Sequence, residues 1–135
     1  NELIYHLIPD GVESIGLYYL YSQTIHDLEL NPVEPVLRNF EQKLLGHLGI
    51  YPDLFFDISG KQIHQKLFYT LANHENLVAV TQAHVNAISG KIWIEIGSGA
   101  FDEPIINLHG KNLHRILLKK ALGGRELNSR HLLLR

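Results

Sequence analysis

Histidine is the residue type whose abundance most suggests chemistry, because nine histidines occur among 135 residues. A metal site needs histidines, or histidine with carboxylates, at spacings that bring their side chains together. His109 and His114 are five residues apart and so lie on different sides of a helix. The segment HENLV, which begins at His74, starts like the zinc motif HExxH but has no second histidine. The spacing predicts no bound metal and argues against the alternative of a histidine-dependent metal hydrolase.

Other catalytic patterns are also missing from the sequence. The chain contains no cysteine, which excludes disulfides and thiolate zinc sites. It has no G-x-S-x-G, and GSGAF at 97–101 fits neither the Walker pattern nor the dinucleotide-binding pattern. Asp102 and Glu103 are neighbours on a predicted loop. We therefore predict a binding protein that is not an enzyme and needs no cofactor.

Charge is distributed unevenly along the chain. The last 32 residues carry seven basic side chains and one acidic one, a net charge of +6, whereas residues 1–103 carry −8. The basic residues of this part are Lys111, Arg115, Lys119, Lys120, Arg125, Arg130 and Arg135. Three of them, Lys111, Arg115 and Lys119, recur every four residues and so form one stripe on a helix. Such a stripe indicates a surface for an anionic partner, but a solvated helix face would look the same.

The hydrophobic periodicity predicts three helices that must position these groups. One long helix covers residues 12–30, with its tyrosines as packing residues. A second has Pro35 in its first turn, carries its periodic apolar residues between Val36 and Leu48, and ends at Gly49. The third begins at Asn107. It turns Leu113, Ile116, Leu117 and Ala121 inward and stops at two glycines, Gly123 and Gly124.

The middle of the chain has a different pattern. KLFYTLANHENLVAVT, at 66–81, reads as two short strands around an Asn-His-Glu-Asn loop, which predicts a hairpin. Residues 84–101 are ambiguous, because Ile92, Ile94 and Ile96 alternate like a strand while a short helix fits as well. Trp93 is expected to be a packing residue. The prediction is a mainly α domain of five or six helices over residues 1–135, with a small β-hairpin insert.

Read together, these segments resemble the C-terminal helical domain of the RecO family of bacterial DNA repair proteins. PVLRNFEQKLLGHLGIYPDL, at 35–54, is similar to the family pattern F-E-x-x-L-L-x-x-L-G-Y-x-P-x-L. ALGGRELNSRHLL, at 121–133, is similar to the family ending LG-x-[KR]-x-L-K-S-R-x-L, with Asn128 in place of its lysine. NELIYHLI at the start and ISG at 88–90 also resemble family segments. The four-cysteine zinc finger of many members is replaced here by FFDISGK.

The resemblance implies a mediator of DNA repair and homologous recombination, of the RecF-pathway type, in the bacterial cytoplasm at the nucleoid. Such proteins bind single-stranded DNA and anneal complementary strands. With RecR they help to load RecA onto DNA that is covered by single-stranded-DNA-binding protein. The DNA-binding residues are predicted to be Lys111, Arg115, Lys119, Lys120, Arg125 and Arg130. The alternative is a helical interaction module that binds acidic proteins.

The family also docks the acidic C-terminal tail of single-stranded-DNA-binding protein on this domain. A guanidinium beside an apolar slot suits a peptide that ends in an aromatic residue and a carboxylate. The residues predicted to bind the tail are Arg38, Leu37, Phe40, Leu45 and Leu48. The N-terminal OB-fold of the family is expected to be absent from this chain. Because the chain has no methionine, we expect it to be part of a longer protein.

Overall fold

The fold combines helices with a sheet. The computed structural model describes residues 12–30 and 32–123. In chain order the elements are α1 (Val12–Leu30), α2 (Val33–His47), β1 (Asp53–Asp57), β2 (Phe68–Ala72), β3 (Asn76–Val80), β4 (Ile88–Ser89), α3 (Gly90–Gly97) and α4 (Pro104–Ala121). This part of the chain is mixed α/β. The prediction of a mainly helical domain with only a small hairpin is therefore wrong.

The predicted hairpin exists and is formed by β2 and β3. These strands pair antiparallel, with Leu71 opposite Leu77. Asn73 and His74 at the tip have positive φ values of 54° and 60°. The Glu75 amide donates to the Ala72 carbonyl across the turn at 3.0 Å. Two consecutive positive φ values are typical of a type I′ turn, whose twist matches that of the strands.

The other two strands of the sheet have no counterpart in the sequence prediction. The strand order is β1-β3-β2-β4, with β1 parallel to β3 and β4 antiparallel to β2. The register of β1 shifts between Asp53, which pairs with Asn76, and Asp57, which pairs with Leu77. β4 has only two residues. Neither strand has a run of alternating residues long enough to indicate it, and both depend on partners distant in the sequence.

Helix α1 has the predicted bounds. Leu17 is buried, and the ring of Tyr21 meets Phe40 of α2 edge to face, with 6.4 Å between the ring centroids. The packing prediction is confirmed for Tyr21. It is wrong for Tyr18 and Tyr19, each of which is 72% exposed.

Helix α2 begins at Val33, so Pro35 lies in its first turn, as predicted. Gly49 has a φ of 74° and its amide donates to the Gly46 carbonyl at 3.0 Å. The next amide, that of Ile50, reaches back to the Leu45 carbonyl at 3.1 Å. These bonds around a left-handed glycine stop the helix where the sequence predicts its end.

The ambiguous segment folds as helix α3. Ser89 caps its first turn, where the hydroxyl accepts a hydrogen bond from the Ile92 amide at 3.4 Å. The helical alternative is therefore correct, because capping and burial of one face outweigh the alternation of isoleucines. Trp93 is buried and its indole N–H donates to the Tyr69 carbonyl at 3.2 Å. Trp93 is thus a packing residue, as predicted.

Helix α4 begins at Pro104 instead of Asn107. Its buried face includes Leu113 and Leu117, as predicted. Ile116 and Ala121 are exposed, so their predicted burial is wrong. The packed face is centred on Gly110, where a β-carbon would come within 2.5 Å of the Phe101 ring. With Gly110 against Phe101, Ile116 lies on the outer side of α4.

Candidate functional site

The predicted basic stripe lies along α4 and reaches the surface at its C-terminal end. Arg115 and Lys119 are both exposed. Their spacing of four residues places them on the same side of the helix, one turn apart. Two cations on one exposed helix face can contact consecutive phosphates or carboxylates.

Lys111, at the other end of the stripe, lies beside α2. Its ammonium is 3.9 Å from the Glu34 carboxylate, and its side chain is only 19% exposed. Glu34 also accepts from the Asn107 side chain at 3.4 Å. Lys111 therefore belongs to a group that joins α2 and α4, and Arg115 and Lys119 are the more accessible part of the stripe.

Lys120 lies apart from the stripe. At 100° per residue it is about 100° around the helix from Lys119. Its ammonium donates to the Asn73 carbonyl at 3.2 Å and to the Glu75 carboxylate at 3.4 Å. This cation thus holds the tip of the β2–β3 hairpin against the end of α4. Arg125 and Arg130, also predicted to bind DNA, lie outside the described residues.

Apolar side chains accompany the stripe. Ile105, Leu108 and Ile116 are about half exposed, at 48%, 52% and 43%. All three lie on the outer side of α4 with Arg115 and Lys119. This face is therefore mixed: Ile105 and Leu108 come first along the helix, and Ile116 lies among the cations at its end.

Arg38 in α2 does not reach the surface. Its exposure is 0%, and its guanidinium binds both oxygens of Glu41. Nε donates to Oε1 at 2.7 Å and Nη2 to Oε2 at 3.0 Å. A second carboxylate, that of Glu34, lies 3.5 Å from Nη1. Such a bidentate pair, buried between α2 and α4, uses the groups that a tail carboxylate would need.

The ion pair continues into a buried polar chain. The ring of His114 in α4 lies between Glu41 and Tyr51: Nδ1 is 3.0 Å from the carboxylate and Nε2 is 2.7 Å from the phenol oxygen. Because a carboxylate only accepts, Nδ1 carries a proton. In the neutral ring Nε2 then accepts from the Tyr51 hydroxyl. This chain links α2, α4 and the loop after α2.

The pKa of Tyr51 reflects this environment. Burial raises the pKa well above the usual 10, and the negative charge of Glu41 raises it further. A hydrogen bond with Gln42 lowers the pKa but is outweighed. Tyr51 therefore stays protonated through the physiological range, so its hydroxyl is available to donate to His114.

Only one local pattern in the sequence indicates this network. Arg38 and Glu41 are three residues apart on a helix, which is the spacing of an ion pair. His114 and Tyr51 come from segments far from α2 in the sequence, and no local pattern connects them to it.

The same network affects the tail prediction. Among the five residues predicted to bind the tail, Arg38, Phe40 and Leu45 are buried, and Leu37 and Leu48 are half-buried. Direct contact of a tail with Arg38 requires the ion pair to open. The role of these residues stays a prediction.

Neither a metal cluster nor a membrane span is found in the described part of the chain. Within residues 12–30 and 32–123, no three histidines or carboxylates lie together in a group that could hold a metal ion. Over the same residues, no helix is long and apolar enough to span a bilayer.

Comparison with known proteins identifies relatives of the chain. The family model described as "Recombination protein O C terminal" matches residues 1–89. The DNA repair protein RecO of Pseudomonas paraeruginosa is 33% identical over 133 residues, which cover 98% of this chain and 57% of that protein. RecO of Cellvibrio japonicus is 33% identical over 136 residues, covering 98% and 58%. The chain therefore spans less than two thirds of the length of these relatives.

Proposed function

Since this chain belongs to the RecO family of DNA repair proteins, we propose that it acts in homologous recombination by contacting single-stranded DNA through the basic side of α4. The observation that carries the proposal is the pair of exposed cations, Arg115 and Lys119, one turn apart on one helix face. Phosphate neutralisation by such cations gives binding that does not depend on sequence.

The stripe alone supports a weak contact. Two or three phosphate contacts supply only part of the electrostatic affinity of a typical nucleic-acid-binding protein. Lys120 contributes to a contact only if it leaves the hairpin tip, where it bonds Asn73 and Glu75. We therefore assign the principal contacts to Arg115 and Lys119, with Lys111 at the border of the stripe.

The wider activity follows from the family and is part of the proposal. It comprises annealing of complementary strands and, with RecR, loading of RecA onto DNA covered by single-stranded-DNA-binding protein. The acidic tail of that covering protein is a proposed partner of this domain, as is RecR. Action at the bacterial nucleoid, in the cytoplasm, belongs to the same proposal. No catalytic step is needed for these roles.

The test is a charge reversal with a matched control. We expect the triple variant Lys111→Glu, Arg115→Glu, Lys119→Glu to bind a fluorescent single strand more weakly than the parent. Its plot of log affinity against log salt should flatten by about 0.7 for each phosphate that the variant no longer neutralises. The control is Lys43→Glu, Lys66→Glu, Lys91→Glu, which reverses three exposed lysines away from α4. Equal affinity and equal slope in the two triple variants would exclude the stripe as the DNA contact.

A second candidate function is the binding of an acidic protein segment. It is favoured by the exposed aliphatic residues Ile105, Leu108 and Ile116 beside the cations. Aliphatic side chains do not stack on bases, but they suit the apolar face of an amphipathic helix. The variant Leu108→Ser, Ile116→Ser separates the candidates. If the partner is the phosphate backbone, the variant should bind a single strand as tightly as the parent does. If the partner is a protein, the variant should bind an acidic amphipathic peptide more weakly than the parent does.

A further inference from the structure

A cavity lies between the hairpin tip and the end of α4, on the side away from the stripe. It is bordered by residues 49–52 after α2, by His74 and Glu75 of the tip, and by Leu117, Lys120 and Ala121 of α4. Its volume is about 390 Å³. That volume lies within the range of small-molecule sites. Part of its lining is apolar, and the half-exposed side chains of Lys120 and Glu75 lie at its rim.

The rim combines opposite charges side by side. The Lys120 ammonium is 3.4 Å from the Glu75 carboxylate, and the two side chains are 50% and 66% exposed. An anion at this rim gains attraction from Lys120 but meets repulsion from Glu75. A cation at this rim is attracted by Glu75 but repelled by Lys120. The rim therefore suits a neutral group that presents a donor and an acceptor on one edge.

The tip of the hairpin is held in an unusual conformation beside this cavity. His74 has a φ of 60°, which is uncommon for a residue other than glycine. Glycine at this position would form the same turn without the steric cost. The turn alone would favour glycine at this position, yet the position carries a histidine, which borders the cavity. His74 and Tyr51, two residues with aromatic side chains, both line the cavity.

We propose that this cavity holds one unstacked nucleobase of a bound single strand. Its apolar lining and aromatic residues receive the flat face of the base. Glu75 accepts from an exocyclic amino group while Lys120 donates to a ring nitrogen or carbonyl. Adenine, cytosine and guanine present an amino group next to an acceptor, and thymine presents its ring N–H next to a carbonyl, so each of the four bases can pair with this rim. The inference rests on the proposed contact with single-stranded DNA and adds to it a site for the base.

The position of the cavity relative to the stripe fits this arrangement. Lys119 is on the stripe, Lys120 is at the cavity rim, and Ile116 lies between them on the outer side of the helix. The 100° of rotation from Lys119 to Lys120 corresponds to roughly 10 Å around an α-helix with its side chains. A strand whose phosphates lie at Arg115 and Lys119 can therefore cross α4 near Ile116 and place a base in the cavity.

The first experiment is independent of strand binding. The ¹⁵N-labelled chain is titrated with deoxyadenosine monophosphate, and separately with deoxyribose 5-phosphate and with inorganic phosphate, by NMR. We expect the mononucleotide at millimolar concentration to shift the amides of Ile50, His74 and Glu75, and the two base-free probes to leave them unchanged. Equal shifts with inorganic phosphate, or no shifts with the mononucleotide, would overturn the proposal.

The second experiment uses a single strand that carries 2-aminopurine. The variant His74→Asn removes the imidazole but keeps a residue that tolerates positive φ. His26→Asn, on the exposed side of α1, is the matched control. We expect the parent and the control to change 2-aminopurine emission equally. His74→Asn should lose most of the change and bind roughly fivefold more weakly, since contact of a base with an aromatic ring is worth at least this factor.

The two experiments separate this inference from the proposed function. If the mononucleotide shifts the named amides but the chain does not bind a single strand, the base site is supported and the proposed contact with single-stranded DNA is excluded. The reverse result is also informative. If strand binding depends on Arg115 and Lys119 while His74→Asn changes 2-aminopurine emission as much as the parent does, the proposed contact with single-stranded DNA stands and the base site is excluded.

Discussion

Arg38 and Glu41 form a bidentate ion pair inside the domain, with Nε to Oε1 at 2.7 Å and Nη2 to Oε2 at 3.0 Å. Both side chains are almost completely buried, at 0% and 5% exposure. Removing one member of such a pair leaves an uncompensated charge in a medium of low polarity, which is far more harmful than losing a surface pair.

The first prediction concerns Glu41. We expect Glu41→Gln to lower the free energy of unfolding by about 3–5 kcal/mol, because Arg38 loses its negative partner and one of the two acceptor oxygens becomes an NH2 donor. The measurement is urea unfolding followed by circular dichroism. Glu34→Gln is the control, since Glu34 is 40% exposed and touches the same arginine at 3.5 Å. We expect its effect to be at most about 1 kcal/mol. Similar losses in the two variants would show that the burial of Glu41 does not matter.

The second prediction concerns alkaline pH. The pKa of Tyr51 is raised in the folded protein by burial, so the folded state keeps a proton that the unfolded state releases above pH 10. This contribution to stability is complete below pH 10 and falls as the pH rises further, by up to about 1.4 kcal/mol per pH unit. Tyr51→Phe should cost about 1 kcal/mol at neutral pH and show a shallower alkaline loss than the parent.

The matching control is Tyr18→Phe. Tyr18 is 72% exposed, so its surroundings change little on unfolding and its replacement should leave the alkaline slope unchanged. The slopes come from urea unfolding between pH 9 and about pH 11. An identical slope in Tyr51→Phe and the parent would mean that Tyr51 is not the group responsible.

The third prediction compares the same substitution at two helical glycines. A β-carbon on Gly46 would meet nothing within 4 Å among the described residues, whereas one on Gly110 would lie 2.5 Å from the Phe101 ring. We expect Gly46→Ala to stabilise the domain by roughly 0.5–1 kcal/mol, through helix propensity and a more restricted unfolded chain. Gly110→Ala should destabilise it by about 1–3 kcal/mol, because the contact between α4 and Phe101 must open. The measurement is the thermal unfolding midpoint of both variants. A higher midpoint for Gly110→Ala than for the parent would refute the close contact with Phe101.

The sequence predicts this fold well where the determinants are local. The bounds of α1, the glycine that ends α2 and the turn of the β2–β3 hairpin all follow from patterns within one or two neighbouring elements. The parallel pairing of β1 with β3 does not, because it joins Asp53 to Asn76 through a shifted register. The orientation of Arg38 escapes prediction for a related reason. A helical wheel shows that α2 is amphipathic. It does not show that Glu41, the partner of Arg38, also contacts His114 on α4.

The last prediction concerns the acidic tail of single-stranded-DNA-binding protein. Because Arg38 is 0% exposed and bound to Glu41, Arg38→Ala would lower stability and tail affinity for different reasons. The double variant Arg38→Met, Glu41→Gln avoids this, since it removes both buried charges together and leaves an amide oxygen to accept from His114. We expect the folded double variant to bind a fluorescent tail peptide within about threefold of the parent, as a charge with no solvent exposure makes no direct contact with a peptide.

If Arg38 instead bound the tail directly, its replacement would cost roughly 1.5–3 kcal/mol, a tenfold or greater drop in affinity. That larger drop, with the circular dichroism spectrum unchanged, would show that the ion pair opens and that Arg38 binds the tail, as the sequence of α2 predicts.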